Sequence, residues 1–410
     1  MLASKATRVT ASGDVPLWAL QSLGLTNLTY NLKKQLMCAA SKAGRLQTLR
    51  WAREQGCPWD CSCSEAAAEG GHLAVLQWLR QEGCPWDSST CEAAAGGGHL
   101  EALQWAFQNG CPGSSRVCTL AAASGKLELL QWARANGCFW SSYTWQMAAE
   151  HGHLPVLQWL RDQDCVWDPS ACTGAAMGGH LELLKWLRKQ GCPWHPFVCS
   201  GAATRGHMDV LKWLKEQGCS WGSNTCSGAA SSGHLDILRW LREEGCPWDE
   251  STCSSAAGGG HLELLHWARA HGCPWDGCSC TSAAAAHGHL GVLQWLRCEG
   301  CPWNARTCDM AAHHSLPLLQ WARENGCEWG EGTCAAAAGA GQLVVLRWAR
   351  ENGCPWDARV CRLAAGGGHL EVLQWAREQG CPWNANDVCR FAAYNGHVEI
   401  VQWVRDQCCS

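Results

Sequence analysis

Two residue types with metal-binding and nucleophilic chemistry recur at fixed places in this sequence. Histidine stands six residues before a repeating tryptophan, at His72, His99, His153, His180, His207, His234, His261, His289, His369 and His397. Cysteine stands six residues after that tryptophan, from Cys57 to Cys381 and again at Cys409. An array of zinc sites is the first chemistry such a pattern suggests, and spacing argues against it. Zinc draws its ligands to within about 2 Å. Cys253 and His261 fall at opposite ends of one short helical stretch, roughly 12 Å apart at 1.5 Å per residue, so they are not co-ligands. Cys246 and Cys253 can approach across a turn, but two thiolates fall short of the four ligands of a structural zinc. Equivalent cysteines one repeat apart are expected near 10 Å, too far for a disulfide. The series therefore reads as a small, buried, apolar residue. Arg45, Lys126, Ser315 and Gln342 replace the histidine in other copies, which fits a neutral structural hydrogen-bonder rather than a ligand. Cys61, Cys63, Cys278, Cys280, Cys408 and Cys409 depart from the series and are reactive only if exposed. No cofactor and no metal are expected.

Other chemistry is equally sparse. Glycine runs at Gly96–Gly98, Gly258–Gly260 and Gly366–Gly368 precede helical stretches, yet lack the strand and lysine of a phosphate-binding loop. A second tryptophan series, from Trp59 and Trp86 to Trp383, offers stacking faces without accompanying basic residues, so it reads as packing. No nucleophile with a base and no paired carboxylates stand outside the repeat pattern, and no enzyme is expected. With 32 basic against 36 acidic residues and a net charge of -4, the chain shows no electrostatic footprint for nucleic acid or for an anionic membrane, and neither is expected as a partner. No stretch approaches the roughly 18 apolar residues of a membrane helix, and the start, MLASKATRVTASGDVP, lacks a signal-peptide core. A long chain with 31 cysteines and no sign of export points to reduced thiols and an intracellular, cytoplasmic protein.

The elements that place these residues follow from the period. Trp51, Trp78, Trp105, Trp132, Trp159, Trp186, Trp213, Trp240, Trp267, Trp295, Trp321, Trp348, Trp375 and Trp403 mark fourteen copies at a spacing of 27 residues, with single-residue slips near Trp295, Trp321 and Trp403. Residues 252–276 (TCSSAAGGGHLELLHWARAHGCPWD) and 360–384 (VCRLAAGGGHLEVLQWAREQGCPWN) show the unit. Leu370, Val372, Leu373, Trp375 and Ala376 share one face of a predicted helix, opposite Glu371, Gln374 and Arg377. A shorter alanine-rich helix precedes it and ends at Gly368; Gly380 and Pro382 stop the longer one. No segment reads as a strand. One hairpin leaves its apolar face uncovered, whereas stacked hairpins share a continuous core, so the expected fold is an all-α solenoid on the order of 120 Å long. The marker tryptophan is expected to be buried between repeats.

GHLEVLQWAREQGCPWN at 368–384, together with Ala364, Ala365, Gly368 and His369, resembles the ankyrin repeat, and the resemblance spans roughly residues 36–410. The usual ankyrin period is about 33 residues. The six missing here fall where the projecting finger of that family stands, and TC (Thr252, Cys253) replaces TPLH. The implied fold is a single solenoid of stacked helix-turn-helix ankyrin-like repeats. Residues 36–410 form its fourteen copies and residues 1–35, with GDVPLWALQSLGL, a degenerate N-terminal capping repeat. The implied function is a protein interaction scaffold or adaptor that binds other proteins on a concave helix face; the alternative is a repeat reader of single-stranded RNA. Most copies carry small residues at the positions expected to face a partner. Repeats five to seven instead carry Tyr143, Glu150, His151, Met177, Phe197, Thr204 and Arg205, a mixture typical of interface anchors. The chain ends just after Val398, Ile400, Val401, Trp403 and Val404 without a polar capping repeat, which suggests either a partly frayed last repeat or end-to-end self-association through the C-terminal repeat.

Overall fold

A computed structural model describes residues 30–163 and 167–408. The capping segment expected over residues 1–35 falls mostly outside these, as do Cys165 and Cys409. The described residues form 28 α-helices and no strand. Helices alternate in pairs, a first and a second helix per repeat, as in Cys61–Glu69 with Leu73–Gln81 and Ser88–Gly96 with Leu100–Gln108. The chain divides into two compact units between Val198 and Cys199. Each unit is a stack of such pairs, so the all-α, repeated helix-turn-helix architecture holds in both.

The unit closes on itself for local reasons. A carboxylate caps the first helix: Asp87 accepts from the Ser89 amide at 2.9 Å and Asp249 from the Ser251 amide at 3.0 Å, satisfying donors left free at a helix start. Small residues, chiefly alanine, cysteine, serine and threonine, make up most of the helix that follows, and the glycine before each histidine ends the hairpin's first arm in the left-handed region, as at Gly71 (φ 70°). The second helix ends likewise at Gly83 (φ 81°), where the Cys84 amide reaches back to the Leu79 carbonyl at 2.9 Å. Proline then prevents its resumption.

Leu76, Leu79, Cys84, Cys91, Ala94 and Ala95 are fully buried, so leucines of the second helix meet the small residues of the first. Small side chains also let neighbouring first helices approach each other closely. At Gly174 a Cβ would stand only 2.2 Å from the Gln146 carbonyl, so the helices Ser142–Glu150 and Ser170–Met177 touch backbone to backbone there. Second helices are kept further apart by their bulk. Val372, Leu373 and Ala376 are buried as their spacing predicts, but Leu370 and Trp375 are only half-buried. The marker tryptophan therefore lies on the outer rim of the repeat rather than in its core, except Trp78, which is buried.

Candidate functional site

The recurrent histidine joins one repeat to the one before it. His72 Nε2 donates to the Lys42 carbonyl at 3.0 Å, His99 to Glu69 at 3.0 Å, His153 to Ala123 at 2.9 Å and His180 to Glu150 at 3.0 Å. Each acceptor lies at the end of the preceding first helix, where helix carbonyls lack internal partners. In the repeat that reads HHS, a Cβ on Gly288 would meet the ring of His314 rather than the following Ser315. These imidazoles are committed to backbone carbonyls. Among the described residues no group of three or more histidine, cysteine or acidic side chains stands where it could hold a metal ion together.

The cysteines pair in a way that spacing did not suggest. The first-helix cysteine of a repeat meets the cysteine after its second helix, twenty residues or so later, as in Cys199 and Cys219 with sulfurs 3.6 Å apart. Among the described residues the same two positions interact in eight further repeats. The second thiol also donates to the backbone carbonyl at the start of the first helix, Cys111 to Asp87 at 3.1 Å and Cys381 to Asp357 at 3.5 Å. Hydrogen bonding within the pair, then burial, pushes the Cys91 thiol well above its ordinary range, while accepting from Cys91 lowers Cys111. Cys138, on Cys118, is lowered to about 7. At the N-terminal end of the described chain Cys38 lies 3.8 Å from Cys63 of the next repeat. In the repeat beginning at Ser141 the first-helix position holds Trp145 instead, buried against Trp167.

On the outer rim, the two tryptophan series interlock. Trp221 meets Trp240 of the next repeat edge to face at 5.7 Å, and Trp248 meets Trp267 at 6.0 Å. An arginine of the second helix covers the loop tryptophan: Arg242 lies 4.2 Å from the Trp248 ring centre and Arg269 3.9 Å from that of Trp275. In two repeats a second arginine joins it. Arg239 and Arg242 with Trp248, Trp267 and His271 line an open groove of about 460 Å³, and Arg347 and Arg350 with Trp356 and Trp375 line its equivalent of about 390 Å³.

The residues singled out in repeats five to seven lie at or beside first helices. Tyr143 is exposed near the start of Ser142–Glu150; Glu150 ends that helix and offers its carbonyl to His180. His151 bonds the Met147 carbonyl at 3.0 Å, and the Met177 sulfur accepts from Gln146 at 3.9 Å. Phe197 is exposed beside His195. These five belong to the first unit, whereas Thr204, bonded to the Ser200 carbonyl at 2.8 Å, and exposed Arg205 belong to the second. Sequence reasoning missed a second cluster. Leu363 is exposed on the first helix Arg359–Gly366, and Tyr394, 89 % exposed, ends the next first helix, Ala385–Tyr394. Phe391, half-buried on that same helix, has the Arg362 and Arg390 guanidinium groups 5.2 and 5.8 Å from its ring. The available signal was departure from the repeat: Arg362 and Leu363 stand where Ser254 and Ser255 stand four copies earlier.

Residues 360–405 match the family model for ankyrin repeats (many copies). No curated protein matches the chain. Among solved structures, the pentatricopeptide repeat protein PPR10 in complex with an 18-nt psaJ RNA element aligns with 98% of this chain and 78% of its own, at 12% identity and a TM-score of 0.34. PPR10 from maize aligns with 99% and 89%, at 12% identity and 0.26. The human ASB11 ankyrin repeat domain aligns with 45% and 84%, at 18% identity and 0.25. The exclusion of nucleic acid made from charge is withdrawn: net charge averages over a surface and does not exclude a local site, and Arg239 and Arg242 gather beside Trp248 and Trp267. No helix among the described residues is long and apolar enough to cross a membrane. The helix pairs matched at 360–405 recur through both units as all-α helix-turn-helix repeats.

Proposed function

We propose that this chain of ankyrin-like repeats is a non-catalytic interaction scaffold that captures another protein on its first-helix face. The observation that carries the reading is where large apolar side chains are left uncovered. Tyr30, Tyr143 and Phe197 in one unit and Leu363 and Tyr394 in the other are exposed on or beside first helices, among alanine, serine and glycine, against Val344 and Val398 on second helices. Small residues keep that face accessible, and sparse aromatic and arginine anchors are the composition of binding hot spots. Leu363, Phe391 and Tyr394, flanked by Arg362 and Arg390, form the main anchor and suit a segment that carries an apolar residue next to carboxylates. Tyr143, Glu150, His151, Met177 and Phe197 form a second set in the first unit, with Thr204 and Arg205 in the other. A photoreactive residue at position 363 should cross-link a captured partner, whereas one at Val344, 67 % exposed on a second helix, should not. Equal cross-linking from both positions would sink the reading.

A second reading, single-stranded RNA, draws on the outer grooves. Two guanidinium groups over tryptophan faces at Arg239, Arg242 and Trp267 can receive phosphate and base together. Retention of a labelled RNA that weakens in Arg239→Gln with Arg347→Gln, and not in Tyr394→Ala, would favour it over the scaffold.

A further inference from the structure

We propose that the buried cysteine pairs within the repeats are two-coordinate sites for a soft monovalent cation, with Cu(I) the fitting ion. In the repeat that holds buried Cys199 and half-buried Cys219 the two sulfurs stand 3.6 Å apart, and the same two positions interact in eight further repeats. Metal–thiolate bonds of about 2.3 Å place two opposed sulfurs roughly 4.6 Å apart. Moving from contact to that span takes about 1 Å, within the reach of a small rotation of the cysteine side chains.

The surroundings select the ion. Among the described residues no group of three or more histidine, cysteine or acidic side chains stands where it could hold a metal ion, and the recurrent histidines are occupied on carbonyls of the preceding repeat. Zinc, which needs four ligands, is therefore disfavoured, while a soft ion content with two thiolates is favoured. Binding takes the form of exchange. Two S–H bonds break, two metal–sulfur bonds form, two protons leave to solvent and no electron moves, so a neutral dithiol becomes a bis-thiolate complex of charge -1.

A buried anion needs a counter-charge, and the repeat supplies one. The arginine that stacks on the loop tryptophan also donates to the carbonyl of the second cysteine: Arg269 to Cys273 and Arg377 to Cys381, each at 3.0 Å, and Arg242 to Cys246. A guanidinium thus stands one residue's backbone from each of these thiols. The lowered second thiol at Cys246, accepting from Cys226 and close to Arg242, is in keeping with easy loss of the first proton.

The test is a titration of the whole reduced chain with Cu(I), supplied without oxygen as its acetonitrile complex and counted by native mass spectrometry. Uptake should approach one ion for each of the nine pairs. Cys226→Ala, Cys253→Ala and Cys308→Ala together should remove three ions. Cys61→Ser, Cys278→Ser and Cys298→Ser, which change the half-buried or exposed thiols, should leave uptake at the pairs unchanged. X-ray absorption at the copper edge of the unsubstituted protein should show two sulfur neighbours, a readout that stands even if the alanine variant fails to fold. Uptake unchanged by the alanine variant, uptake abolished by the serine variant, three or four neighbours at copper, or pairs closing into disulfides without metal would each overturn the proposal.

Discussion

The imidazole of His99 donates to the Glu69 carbonyl at 3.0 Å while its ring covers Gly71, where a Cβ would stand 2.4 Å from Nδ1. Hydrogen bond and steric fit thus act on the same ring, and both depend on a glycine in the repeat before. Gly71 lies at φ 70°, in the left-handed region that only glycine enters freely.

Gly71→Ala and Gly83→Ala separate the two demands. Gly83 has the same sign of φ, at 81°, but nothing within 4 Å of its absent Cβ. Alanine there should cost about 1–2 kcal/mol for the backbone alone. At Gly71 the displaced histidine should add roughly 1–3 kcal/mol, as other overpacked sites do. Hydrogen exchange in the repeats on either side of each substitution reads both; equal losses would show that the ring contact is unimportant.

The rim position of the marker tryptophan sets a second comparison. Leu238 is fully buried, and Leu238→Ala should cost about 2–5 kcal/mol. Trp240, half-buried on Trp221, should cost only about 1–3 kcal/mol when changed to alanine, despite its larger size. Urea unfolding should broaden for Leu238→Ala rather than shift as one sharp step, because repeats couple mainly to their neighbours. A larger loss for Trp240→Ala would return the tryptophan to the core.

These two residues also show how far the sequence could be read. Periodicity located both helices of each repeat because glycine and proline end them at fixed intervals and leucine marks one face. Periodicity places Trp240 and Leu238 on that same face, since angle around a helix does not tell depth; only the neighbouring repeat reveals that one end of the stripe is a rim. The cysteine pairs were illegible for a different reason. Short spacing points Cys246 toward Cys253, seven residues on, but the chain folds Cys246 back toward Cys226 at the far side of its own hairpin. The residues around Phe391 were illegible because they stand within first helices, where periodicity does not separate a packed position from an exposed one.

Acid should loosen the helix starts. Hydrogen bonds from Ser223 and Ser251 hold the Asp249 carboxyl below its usual value, and Ser89 does the same for Asp87. A depressed folded value contributes stability that is complete above the unfolded value, near 3.9, and is lost as pH falls through the lower folded value. Asp309 runs the other way, since burial raises its carboxyl and protonation relieves that cost. Helical content followed below pH 4 should therefore fall, and Asp249→Asn should flatten the response near its own repeat. An unchanged profile in that variant would remove the cap from the account.

The two anchor sets can be ranked by what surrounds them. Leu363 stands on one first helix and Phe391 and Tyr394 on the next, and Arg362 and Arg390 both stand by the Phe391 ring, so a partner side chain entering there meets several groups at once. Tyr143, by contrast, stands exposed at a helix start, and Met177 is already engaged by Gln146. Hot-spot residues owe their weight to enclosure by neighbours that exclude water, and truncation of one typically costs about 2 kcal/mol or more. Leu363→Ser with Tyr394→Ala should thus weaken capture of a protein partner more than thirtyfold, an estimate of about 2 kcal/mol. Tyr143→Ala with Arg205→Ala should weaken it less than tenfold. Affinities of both double variants for one captured partner, with circular dichroism to confirm intact helices, decide the order; the reverse ranking would move the main site to repeats five to seven.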